Sequence, residues 1–270
     1  YGSASNCNVG TESELYKGYR EILVDGYTDM VLEQNPNASR MEAKRYITGN
    51  REIMREIDKE AANFARYAPT YWGEQPGTSG PVYAGAIVCF LFVLGLIIVR
   101  GPEKWWLLAA TIFSLVLAWG NNLAGINNFL FEHMPLYNKF RAPSMALVVT
   151  TLAMSALAIL AVKHFMEHAK EDEKMQKGMY IALGIVGGIT LLLAVVPDTF
   201  FDFTSTSDTR FAQIPELLDA LIKQRRDMLV SDAWRSFAFI LATGALMWAY
   251  TRYSLKQHIF IAVLGLLFLV

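Results

Sequence analysis

The sequence predicts an all-α, polytopic transmembrane protein carrying an extracytoplasmic helical subdomain. Three observations support this. Of 270 residues, 53% are hydrophobic and 13% aromatic, and mean hydropathy is +0.27, more apolar than ordinary soluble domains. The apolar residues are gathered into runs: 82–99, 105–119, 142–162, 178–197, 236–251 and 259–270 contain no Asp, Glu, Lys or Arg. A hydrocarbon core about 30 Å thick takes about 20 apolar residues as a helix, range about 17–25, and these runs fall in or near that range. The expected spans are about 82–99, 105–123, 142–162, 178–197, 235–251 and 258–270, the last cut short. The fifth reaches full length if Arg235 snorkels to the interface.

Residues 1–80 are polar and predict two helices and an interfacial loop. Over 12–34, Leu15, Tyr19, Ile22 and Leu23 share one helical face, and Asn35-Pro36-Asn37 ends it. Ser39 with Glu42 three residues later forms a capping box. The helix it opens is expected to run to about Tyr67, with Ile47, Ile53, Met54 and Ile57 set among charges. Surface helices over a membrane domain are the plain reading, and a substrate-shaping subdomain the sharper one. Residues 69–81 are rich in Gly and Pro, and Tyr71, Trp72 and Tyr83 suit an interfacial belt.

Residues 81–270 form the expected transmembrane domain. Arg100 and Lys104, then Lys163, Lys170, Lys174 and Lys177, then Arg252 and Lys256 mark alternate short connections as cytoplasmic. The opposite side receives residues 1–80 and the loops 120–143 and 198–233. Within the last, Pro215 opens a helix with Leu217, Leu218, Leu221, Ile222, Met228 and Leu229 on one face. Lys223, Arg225, Arg226 and Asp227 are assigned to the other, the pattern of a helix lying in the interface plane. Gly184, Gly187 and Gly188 are expected to allow close helix packing.

A net charge of −1 gives no global field for nucleic acid. Cys89 lies in an expected span and Cys7 does not, so they are not expected to pair. No signal peptide pattern is present. The chain opens at Tyr1 and stops inside an apolar run, so the expectation is an internal piece of a longer polytopic protein.

Chemistry concentrates in the 120–143 loop, which holds Asn121, Asn122, Asn127, Asn128, Asn138, Lys139 and Arg141 between two apolar runs. Backbone at membrane depth must be satisfied by protein or by a wet cavity, and cations there need an anion. Lys139 and Arg141, with Asn122 and Asn138, are the candidates for a phosphate, Arg offering a planar fork; the plain alternative is a pair of interfacial anchors. Weaker candidates are Asp198, Asp202 and Asp208, which suit turns and caps equally well, and His133 beside Glu132. His164 and His168 stand four apart, but read as a solvated helix end with no third ligand nearby, so no metal site is expected. The sequence names no cofactor.

The run Gln75-Pro76-x-Thr78-Ser79-Gly80-Pro81-Val82-Tyr83, then Trp119-Gly120-x-Asn122, then Pro135-x-Tyr137-Asn138-Lys139-Phe140-Arg141-x-Pro143-Ser144 resembles the YfhO family of bacterial membrane proteins. Phe201-Asp202-Phe203-Thr204 and Asp232-Ala233-Trp234-Arg235-Ser236 resemble the same family, in its Bacteroidetes-type form, so the likeness covers roughly residues 69–270. It implies a multi-pass inner-membrane protein similar to GT-C glycosyltransferases, using a polyprenyl-phosphate-linked sugar for cell-surface glycan modification. It also implies that the catalytic acidic residue lies upstream of Tyr1, leaving Lys139 and Arg141 as donor-phosphate ligands. Two other classes stay open: a lipid or glycan transporter or flippase, and a non-catalytic membrane assembly protein.

Overall fold

A computed structural model describes residues 9–72, 84–119, 123–133, 143–169, 172–253 and 255–269. Every regular helix or strand among them is helical: α1 (Glu14–Gln34), α2 (Arg40–Gly49), α3 (Arg51–Tyr67), α4 (Ala86–Ile98), α5 (Glu103–Ala118), α6 (Ala124–His133), α7 (Leu147–His168), α8 (Glu173–Val195), α9 (Pro215–Arg252) and α10 (Gln257–Leu269). Short 3-10 segments cover Pro143–Ala146, Pro197–Thr199 and Thr206–Phe211. The chain divides into two compact units, Tyr1–Pro81 with Pro197–Val230, and Val82–Val196 with Ser231–Val270.

In the first unit, α1 starts where Ser13 accepts a hydrogen bond from the Tyr16 N–H, 3.2 Å. Ser39 and Glu42 form the full capping box at the start of α2. The expected helix from Ser39 to Tyr67 is two helices. Asn50 ends α2, and its side-chain oxygen accepts from the N–H groups of Glu52 and Ile53 to start α3. Asn competes well as an N-cap, so Gly49-Asn50 breaks an otherwise continuous pattern. Leu15, Ala68, Leu217 and Leu221 bury together beside Tyr19, Phe64 and Phe211, while Val24, Ile47 and Ile57 form a second small core.

In the second unit, α4 is the central element, with seven of its thirteen residues buried. It packs on α7 and α8, and α5 packs on α7. Ser114 Oγ and Thr150 Oγ1, both buried, lie 2.7 Å apart between α5 and α7, a hydrogen bond between apolar helices. Glycine allows close approach at positions other than the expected ones. A Cβ on Gly95 would stand 2.8 Å from Leu157 Cγ and 3.0 Å from the Leu157 carbonyl oxygen; on Gly178 it would stand 2.6 Å from Ile98 Cγ2. Gly184 and Gly188 would meet nothing within 4 Å, and Gly187 only ordinary contacts.

Among the described residues, two helices are long and apolar enough to cross a membrane: α7 with 22 residues and α8 with 23. At about 1.5 Å per residue they span about 33 and 35 Å, against about 20 Å for the thirteen residues each of α4 and α10. Only 28% of the apolar window of either long helix is buried. On α8, Ile181, Ile185, Ile189 and Leu192 make an exposed stripe that flanks the face holding buried Met179, Ala182 and Val186. Leu152 and Ile159 of α7 are 66% and 69% exposed. A helix that is apolar all round and mostly uncovered has the composition of a bilayer-facing element rather than of a soluble core helix.

The expected interface-plane helix and fifth span are one element. α9 is continuous for 38 residues, and residues 215–230 of it belong to the first unit. The short 163–177 connection also contracts, because α7 continues to His168 and α8 begins at Glu173.

Candidate functional site

Lys139, Arg141, Asn122 and Asn138 lie outside the described residues. His133 closes α6, where its Nδ1 lies 3.0 Å from the Phe129 carbonyl oxygen and its ring stacks on Phe129 at 4.5 Å. It is exposed on a helix end.

The three candidate aspartates all belong to the first unit but are engaged separately. Asp198, in the turn after α8, accepts from Arg226 Nε at 2.8 and 3.0 Å, an exposed pair. Asp202 accepts from the Thr204 N–H at 3.2 Å. That backbone hydrogen bond, with a further one from the Thr204 side chain, holds its carboxyl below the usual carboxylate range. A carboxylate so stabilised is a weaker proton acceptor. Among the described residues it is the one of the three without a cationic partner.

Asp208 is the best organised of the three, and it is closed to solvent. Arg225 is fully buried and makes five hydrogen bonds. Nη1 donates to Asp208 Oδ2 and to the Phe203 carbonyl, each at 2.8 Å. Nη2 donates to Asp208 Oδ1 and to the Pro69 carbonyl, each at 2.8 Å, and Nε donates to Pro69 at 3.3 Å. All five guanidinium N–H groups are therefore used. Asp208 Oδ2 also accepts from the Ser205 N–H at 2.7 Å, which fixes the start of the Thr206–Phe211 turn. Phe203 takes φ 57°, an uncommon value for a bulky residue, and its ring stands 5.5 Å from that of Trp72. The backbone of 203 is thus turned to aim its carbonyl at the arginine. This assembly binds residue 69, residues 203–208 and α9 together, and leaves neither Arg225 nor Asp208 available to a substrate.

Arg225, expected on the polar face of its helix, is instead buried. Its spacing already held the signal to the contrary: Leu217, Leu221 and Arg225 recur every four residues, and all three are buried. Neither a family model, nor a curated protein, nor a solved structure matches the chain.

Proposed function

We propose that the chain forms part of a multi-pass membrane glycosyltransferase that takes sugar from a polyprenyl-phosphate donor and delivers it to an acceptor outside the cytoplasm. The observation that carries the membrane half of this reading is the apolar, largely uncovered surface of α7 and α8. The six-span organisation, with residues 1–80, 120–143 and 198–233 outside, rests on the charge-free runs and on the lysine and arginine bias of the short connections. The sugar chemistry rests on the resemblance around residues 75–83 and 135–144 and on two cations next to a span.

In that reaction the acceptor oxygen bonds to the anomeric carbon as the bond to the lipid phosphate breaks. Lys139 and Arg141 take up the charge that collects on the leaving phosphate. The base belongs elsewhere: Asp208 is locked to Arg225 and Asp198 to Arg226. No buried Asp, Glu, Lys, Arg or His lies in the second unit among its described residues, which weighs against an ion-coupled transporter.

The test is sugar transfer from a polyprenyl-phosphate-linked hexose by membranes containing the full-length protein. Lys139→Ala/Arg141→Ala should lower turnover by about 10² or more. Unchanged turnover in that variant removes the two residues from the donor site. Absence of transfer by the wild type removes the reaction class.

A further inference from the structure

The last turn of α7 carries His164, Glu167 and His168, and their ligand atoms all lie within 4.8 Å of one another. Three further observations bear on what this cluster can hold. The His164 Nε2 atom is buried and has no hydrogen-bond partner among the described residues. A shielded imidazole nitrogen without a partner is costly unless something occupies its lone pair or takes its proton. His168 Nδ1 lies 3.1 Å from the His164 carbonyl oxygen, so the tautomer with a proton on Nδ1 makes that hydrogen bond and leaves Nε2 as a free lone pair. Orientation of a ligating imidazole by a hydrogen bond from its second nitrogen is the usual outer support of a metal site. Finally, the cluster sits at the C-terminal end of a 22-residue helix, where the helix dipole favours a cation.

We propose that His164, Glu167 and His168 form a three-ligand site for a divalent transition metal of the zinc class, with a fourth position left to water. Two imidazoles and one carboxylate suit zinc in that arrangement. Four-coordinate zinc with ligands at about 2.0–2.2 Å needs its donor atoms about 3.4 Å apart. Without an ion the donor atoms lie within 4.8 Å of one another, and Glu167 and His168 are exposed at the helix end. The histidine spacing alone offers two ligands; the helix supplies the third, Glu167, one residue before the second histidine.

The probe is Co²⁺ alone, added to the detergent-solubilised protein carrying a tag without histidine. One Co²⁺ per chain is expected, with the visible absorption of a four-coordinate ion and displacement by Zn²⁺. His168→Ala and Glu167→Gln, both at exposed positions, should each weaken binding at least about tenfold, while His133→Ala and His258→Ala leave it unchanged. Wild-type protein that takes up no stoichiometric Co²⁺ overturns the proposal without recourse to a variant. So does binding that survives His168→Ala or that is lost in His133→Ala or His258→Ala.

Discussion

At the scale of single residues, Arg225 shows how a buried charge becomes an architectural part. Its guanidinium serves four acceptor atoms: two carboxylate oxygens and two carbonyls from distant stretches of chain. An ammonium group has three donors and cannot reproduce that fork. Arg225→Lys is therefore expected to destabilise the first unit almost as much as Arg225→Ala, by about 3–5 kcal/mol, since either leaves Asp208 buried with an incomplete partner. Thermal or denaturant unfolding of the purified protein measures this. A lysine variant within about 0.5 kcal/mol of wild type contradicts the account. Asp208→Asn keeps the shape but removes the charge, and should fall between wild type and Arg225→Ala.

At the scale of elements, how much was legible depended on whether the deciding contact was local. The capping box of Ser39 and Glu42 is a short-range pattern and folds as read. The break at Asn50 was equally local, but was hidden by a strong apolar period running through it. The glycine contacts were not legible, because what makes Gly95 necessary is Leu157 on another helix. The aspartates show the same division: turn chemistry describes Asp202, whereas the burial of Asp208 depends on an arginine seventeen residues away. Gly95→Ala should cost about 1–3 kcal/mol, because the new methyl meets backbone as well as side chain. Gly184→Ala and Gly188→Ala, which meet nothing, should be neutral or slightly stabilising by helix propensity. The Glu14 carboxylate ties α1 to α9 by accepting from Lys223 at 3.2 Å, and this bond, with the charges of Lys223 and Lys17, lowers its pKa. A depressed carboxylate contributes stability above its unfolded pKa of about 4.3 and loses it as pH falls through the lower folded value. Glu14→Gln should therefore leave a melting temperature that falls less steeply below about pH 4 than that of wild type.

At the scale of the whole molecule, the decisive matter is what solvates the second unit. Ile181, Ile185, Ile189 and Leu192 form a continuous exposed apolar row on a 23-residue helix. In water such a row would be an aggregation surface, whereas in a bilayer it is simply the lipid-facing side. The two cases respond oppositely to one substitution. Ile185 lies near the middle of α8 and is 46% exposed, with the buried face of the helix turned to α4 and α9. On a water-exposed helix, Ile185→Lys would shift stability by no more than about 0.5 kcal/mol and would improve solubility. At the centre of a membrane span the same change costs about 2.5–3.5 kcal/mol of insertion free energy. The expected outcome is a clear fall of the variant in the carbonate-resistant membrane fraction. Lys174→Ala, in the first turn of the same helix, should behave as wild type, because a charge there already lies at the interface. A fully recovered, carbonate-extractable Ile185→Lys protein would refute the membrane reading of α8, and the glycosyltransferase proposal built upon it would fall as well.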